Sequence, residues 1–235
     1  MRLGIMQPYF FPYIGYFSLI KHVDEFILFD TPQFIRHGWI ERNRIKNAGG
    51  GYVYISVPLL KHSQKTAIQN ILINNEMDWK NKILAQLVHY KKAPYYKEVT
   101  EMLRALFEKE YLDIVTLDKV TLEKVCEYLN IDTEIKVFSQ MNLEIEQVLA
   151  LDEWALNICK AIPGANEYWN PPGGKAFFDV SKYDKAGIDI RFQEVEITEY
   201  QQGKNAFEAG LSIIDVMMYN SSQTIHRMMD NFKLT

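Results

Sequence analysis

The feature that most restricts this chain lies in its first 30 residues. Arg2-Leu-Gly-Ile-Met6 is a short apolar run closed by Gln7-Pro8. Tyr13 to His22 has helical periodicity, with Ile14, Phe17, Leu19 and Ile20 largely on one side, and Glu25-Phe-Ile-Leu-Phe-Asp30 is a second apolar run ending in a carboxylate. Strand, helix and strand within about 30 residues is the spacing of a crossover between neighbouring parallel strands. A parallel sheet is buried on both faces and needs helices to cover them, so this unit commits the chain to an α/β architecture.

The rest of the chain is read against that commitment. Trp39–Ile45 and Tyr52–Leu59 flank Asn47-Ala-Gly-Gly-Gly51, which predicts a β-hairpin. Helical patterns follow over Met77–Tyr90, Tyr95–Lys109 and Thr116–Leu129, the first two separated at Lys91-Lys-Ala-Pro94. Alternation then resumes, with strands at Thr133–Phe138, Asn166–Asn170 and Ile188–Phe192. Helices are expected at Ala150–Ile162, Ser212–Tyr219 and Ser221–Phe232. With about five parallel strands, the expectation is a doubly wound, mostly parallel sheet. Residues 1–235 form one α/β domain in this reading, and 39–110 is a hairpin and helical insertion between its halves.

Composition excludes several classes. Hydrophobic residues at 48% and charged residues at 24% are those of a folded globular chain, not a disordered one. A net charge of −4 argues against binding a nucleic acid duplex, which needs a clustered basic face. No apolar run approaches the roughly 20 residues of a membrane span, and the start lacks the apolar segment of a signal peptide. Cys126 and Cys159 fall on apolar helical stripes with no Cys-x-x-Cys spacing, the usage of a reducing compartment. A cytoplasmic protein is expected.

In open parallel sheets, ligands bind beyond the carboxyl ends of the strands. Three loops marked by proline or glycine converge there: 7–16, 30–37 and 170–175. The first brings Gln7, Tyr9, Tyr13, Gly15 and Tyr16. A buried phenol needs a hydrogen-bond partner, and glycine at a helix start permits close approach of a ligand. The second brings Asp30, Gln33, Arg36 and His37, followed by Trp39, Arg42 and Asn43, the densest polar cluster in the chain. Arg36 and Arg42 suit a phosphate or carboxylate, though a solvated hairpin face places arginines there as well. His37 suits general-base work, though a surface histidine is the commoner use of that residue taken alone, and Asp30 is equally a turn cap or a catalytic group. The third brings Asn170, Gly173 and Gly174, and Tyr95 is a candidate lid. No zinc spacing, nucleophile elbow or dinucleotide fingerprint accompanies these residues, so no metal is indicated and the cofactor is unknown.

Five segments together carry a resemblance. They are Met6-Gln-Pro-Tyr-Phe-Phe-Pro-Tyr-Ile-Gly-Tyr-Phe17, Asp30…Gln33-Phe-Ile-Arg…Gly38-Trp-Ile…Arg42-Asn-Arg-Ile45, Lys92-Ala-Pro-Tyr-Tyr96, Asn170-Pro…Gly173-Gly-Lys175 and Leu211-Ser-Ile-Ile-Asp215. In this order, over nearly the whole chain, they resemble the WbqC-like family. One departure is Ser221, after Asn220, where relatives often carry glycine. The resemblance implies a role in O-antigen or other surface-polysaccharide synthesis, as a transferase that places an acyl group, glycyl being one candidate, on a nucleotide-linked amino sugar. The first loop, helix and strand are also similar to nucleotide-binding α-hydrolase-like folds such as pantothenate synthetase. The histidine–glycine–histidine signature of those enzymes is missing, so adenylation is not implied.

Two functions follow as expectations. One is an N-acyltransferase whose partners are a nucleotide-linked amino sugar and an acyl donor, with His37 or Asp30 as base and Arg36 and Arg42 on the diphosphate. The other is a non-catalytic binding or partner subunit in polysaccharide assembly, using the aromatic first loop as an interface. Both require the three loops to meet along one rim of the sheet.

Overall fold

A computed structural model describes residues 1–235. Along the chain the elements are β1 (Arg2–Met6), α1 (Ile14–His22), β2 (Glu25–Leu28), β3 (Arg42–Lys46), β4 (Tyr52–Ser56), α2 (Trp79–Gln86), α3 (Tyr96–Phe107), α4 (Ile114–Leu129) and β5 (Glu134–Val137). Then come α5 (Glu153–Ala161), β6 (Glu167–Asn170), α6 (Val180–Lys185), β7 (Asp189–Val195), α7 (Ile213–Tyr219), α8 (Ser222–Asp230) and β8 (Phe232–Leu234). The fold is mixed α/β with a mostly parallel six-stranded sheet.

Sheet order is β5-β2-β1-β6-β7-β8, and β3 and β4 pair as a separate antiparallel hairpin. Every pairing in the large sheet is parallel except β7 with β8. From β1 the chain steps outward to β2 and β5, then returns to the other side of β1 and steps outward through β6 and β7. The winding therefore reverses between β1 and β6.

Strand alternation divides the apolar residues between two cores. Leu3, Ile5 and Ile27 face the α5 and α6 side, where Leu156, Ile158 and Tyr183 complete a cluster of 13 buried residues. Phe26 and Leu28 face the other side, with Phe17 and Ile20 of α1 and Leu117 and Val125 of α4, in a cluster of 47. At about 1.5–3 kcal/mol for each fully buried aliphatic or phenyl side chain, the larger core supplies most of the stability. Ile45 and Ile55 of the hairpin and Val99 and Leu103 of α3 belong to that same cluster, so segment 39–110 is packed into the main core. Gly4 is needed here, because a Cβ on it would lie 2.8 Å from the Phe26 ring on the neighbouring strand.

Three details differ from the sequence expectation. Helix α2 stops at Gln86 and tightens into a 3-10 turn over Leu87–Tyr90. The six-residue α6 was not expected; Asp179 caps it by accepting from the Ser181 amide. The last helix ends at Asp230, and Phe232–Leu234 instead pairs antiparallel with β7.

Candidate functional site

The carboxyl ends of β1 and β6, where the winding reverses, open into a cleft of two chambers. The first, about 500 Å³, lies on the α1 side. The second, about 620 Å³, lies on the α5 side. Met6, Tyr9, Asn170 and Gly174 border both and form the partition between them.

The first chamber is built on loop 7–13. Phe11 is fully buried with φ of +41°, a left-handed conformation that costs a non-glycine residue about 1–2 kcal/mol. Hydrogen bonds hold it there. Asn43 donates from Nδ2 to the carbonyls of Phe10 and Phe11, both at 3.0 Å, and Ser212 Oγ donates to the Phe11 carbonyl at 2.7 Å. The Ile213 amide donates to the Pro12 carbonyl, and Tyr16 Oη donates to the Gln7 carbonyl at 2.8 Å. The loop is thus preorganised, with Tyr9, Tyr13 and Tyr16 along its wall. Burial pushes all three phenols above their ordinary pKa, so at neutral pH they are protonated hydrogen-bond donors, not bases.

The cation of this chamber is Arg44, which sequence reasoning passed over in favour of Arg36 and Arg42. Its guanidinium carbon lies 5.3 Å from the Trp39 ring centroid and 4.8 Å from that of Tyr52. Its Nη2 donates to the Gly210 carbonyl at 3.3 Å, and its Nε is buried without a partner. A guanidinium held between rings and paired with no carboxylate suits an incoming anion. The register of the hairpin decides this: Arg44 is the residue whose carbonyl accepts from the Ser212 amide, which seats it beside Gly210.

The second chamber is aromatic and uncharged. Phe29, Trp154, Tyr168, Phe177 and Phe178 line it with Gln7 and Gln33, while Asn170 donates from Nδ2 to Tyr168 Oη at 2.6 Å. At the partition a Cβ on Gly174 would lie 2.5 Å from Asn170 Oδ1, so glycine is required there, whereas Gly173 faces open space.

The structure brings Gln7, Tyr9, Tyr13, Tyr16, Gln33, Trp39, Asn43, Asn170, Gly173 and Gly174 to the cleft. Asn43 is there as a positioning residue, its amide hydrogens spent on the first loop and its Oδ1 accepting from the Arg44 amide. Gly15 serves Tyr13 instead of a ligand, because a Cβ would overlap the Tyr13 ring. Like Gly15, five further residues lie outside both linings. Asp30 is on the rim but buried, accepting from the Ser139 amide at 3.1 Å and Ser139 Oγ at 2.6 Å, which ties the loop after β2 to the one after β5. His37 is exposed in a tight turn with φ of +62°, its amide donating to Glu41 at 2.6 Å. Arg36 is exposed beside His62. Arg42 covers the Tyr54 ring at 4.2 Å. Tyr95 packs against the main core and donates its amide to Met218.

Neither lining contains a carboxylate, imidazole, amine or thiol. Burial pushes the Cys126 and Cys159 thiols up to about 12, which makes both unreactive. No group of three or more His, Cys, Asp or Glu side chains is placed to hold a metal ion. No helix is long and apolar enough to cross a membrane.

A model of the WbqC-like protein family matches residues 7–227, from the first loop into α8. The chain belongs to the WbqC-like family. An uncharacterized protein of Mycobacterium tuberculosis is 29% identical over 220 residues, which cover 92% of each chain. No solved structure matches this WbqC-like chain. Apart from Ile5 and Met6, the family match spans the residues that build both chambers, Arg44 among them, and the Ser212 that supports the first loop.

Proposed function

We propose that this WbqC-like protein binds a nucleotide-linked amino sugar across its two-chamber cleft and acylates the sugar amine, as a cytoplasmic step of surface-polysaccharide synthesis. The observation that carries the proposal is the position of Arg44. It sets a guanidinium that no carboxylate pairs with in the lining of a cleft at the reversal point of a parallel sheet, where open α/β folds receive nucleotides. The strand order and the loop after β1 support comparison with nucleotide-binding α-hydrolase-like folds.

In the reaction, the amine nitrogen forms a bond to the acyl carbon, the bond from that carbon to the donor's leaving group breaks, and the proton lost by nitrogen departs with that group. Negative charge develops on the acyl oxygen, and neutral phenols are suited to receive it. Tyr9 and Tyr13 are the donors assigned to this task. His37 and Asp30, outside the linings, take no part in this scheme.

A second function is favoured by one observation, the lack of any general base in the lining. It is a subunit that holds the nucleotide sugar without transforming it. Calorimetric titration with nucleoside diphosphate amino sugars tests the shared binding step. Saturable binding is expected, weakened by about 10- to 100-fold in Arg44→Met, the loss of a charge-assisted contact; an unchanged affinity refutes the assignment. Mass spectrometry of the sugar after incubation with acyl thioesters then decides between the two, since only the transferase yields the amide.

A further inference from the structure

We infer that the second chamber is the nucleobase pocket of this protein, an inference that rests on the proposed binding of a nucleotide-linked sugar. Its walls supply rings from four places in the fold. Phe29 follows β2 and lies 5.2 Å from Trp154 of α5, and Tyr168 of β6 lies 5.6 Å from Phe178 in the segment before α6. Aromatic surfaces of this kind hold a base by stacking, whatever its identity. Beside the Tyr9 and Tyr168 hydroxyls and the Trp154 indole N–H, the polar groups among them are carboxamides, from Gln7, Gln33 and Asn170. Asn170 spends its Nδ2 on Tyr168 and Met6, while Gln7 and Gln33 each present a donor and an acceptor together, the pattern that matches the edge of a base.

Other occupants fit less well. A glycyl ammonium or a phosphate would be left without a counter-charge, since nothing charged lines this chamber. A plain aliphatic chain would set the glutamine amides against hydrocarbon. The rim is also incomplete: Phe177 is 52% exposed and Leu151 74% exposed, and both line the chamber. A flat ring entering between them would cover apolar surface now facing water. The partition then explains the rest of the ligand's path. From the base, the diphosphate crosses beside Gly174 toward Arg44, and the sugar lies among the tyrosines of the first chamber.

The test uses the full-length protein, tryptophan fluorescence and separate probes for each half of the ligand: free uridine and adenosine for the base, hexosamine 1-phosphate for the rest. A nucleoside is expected to quench emission saturably, with the quenching lost in Trp154→Phe and kept in Trp39→Phe. Gln33 is exposed, so Gln33→Leu leaves the fold intact, and it is expected to weaken nucleoside binding about 10-fold with no effect on hexosamine phosphate. Arg44→Met is expected to do the reverse. If nucleotide sugars bind but Gln33→Leu and Trp154→Phe change nothing, the base lies elsewhere and this inference falls while the cleft assignment stands. If hexosamine phosphate and nucleotide sugars fail to bind while nucleosides still do, the base pocket stands and the proposed substrate falls.

Discussion

Two neighbouring regions of this molecule carry many polar side chains and treat them in opposite ways. Between residues 33 and 42, Gln33, Arg36 and His37 are exposed, and their contacts are turn contacts such as the His37 amide to Glu41. A few residues further on, Asn43 and Lys46 are buried, as are Gln202, Ser212 and Asp215 from the far end of the chain, and hydrogen bonds join Lys46, Gln202 and Asp215 into one web. Tyr90 and Tyr200 each donate to Asp215 at 2.6 Å, and Gln202 donates to it at 2.9 Å. The Lys46 amide donates to Tyr90 Oη, and Lys46 Nζ donates to Gln202 and to the Ala206 carbonyl. Density of polar residues in sequence marks the first region; burial marks the second. It is the second that fixes the cleft, because the same segment that carries Asp215 holds the first loop through Ser212.

The largest expected effect follows from breaking the web. Burial raises the pKa of Asp215, against the pull of its three donors and of Lys46. Asp215→Ala strands two phenols, a carboxamide and a buried ammonium, and is expected to cost about 3–5 kcal/mol. Asp215→Asn keeps one acceptor oxygen and should lose distinctly less. Urea unfolding of the two variants measures the difference, and equal losses would mean the web is not cooperative.

A different buried aspartate underlies the exposed turn. Asp118 of α4 is fully buried with neither carboxyl oxygen partnered, and Glu41 of the turn has an unpartnered Oε2. Burial, then the charges of Glu41 and Asp113, hold the Asp118 pKa well above the ordinary carboxylate value. The folded state therefore binds a proton that the unfolded state releases as pH rises past that ordinary value. Stability falls with pH across this window, from the ordinary value up to the raised one. Asp118→Asn removes the ionisation. Its stability should match the parent at acid pH and exceed it by about 1–3 kcal/mol near neutrality, the scale of an unsatisfied buried polar group. Unfolding curves between pH 4 and 8 check the sign, and a gain that shrinks as pH rises would refute it.

This contrast also explains what was legible in the chain. Apolar runs and turn residues gave the parallel strands, the hairpin and most helices, because periodicity reports burial directly. From the strand ends alone followed the meeting of loops 7–16 and 170–175, since a parallel sheet puts all its carboxyl ends on one edge. What escaped depends on contacts between distant segments. Strand β8 exists because β7 offers an open edge, and its three residues carry no pattern of their own. Arg44 is set apart from Arg42 by the Ser212 amide and the Gly210 carbonyl, which come from the far end of the chain. The Asp215 web joins residues 46, 90, 200 and 202, and no local window contains more than two of them.

The smallest expected effect sharpens the comparison from the exposed side. His37 was the natural base by residue type, yet its ring is on the surface and its backbone sits at φ of +62°. Glycine adopts that conformation without strain, at the expense of more freedom in the unfolded chain. The two effects oppose each other, so His37→Gly should change stability by under about 0.5 kcal/mol, the range of surface substitutions. It keeps the turn, and with it the Glu41 contact, while deleting the imidazole. Nucleotide-sugar affinity and any acyl transfer should therefore equal those of the parent, measured by the same titration and mass assay used for Arg44→Met. A loss of turnover with affinity and stability preserved would restore the imidazole to the mechanism and would move the chemical step from the chambers to the turn.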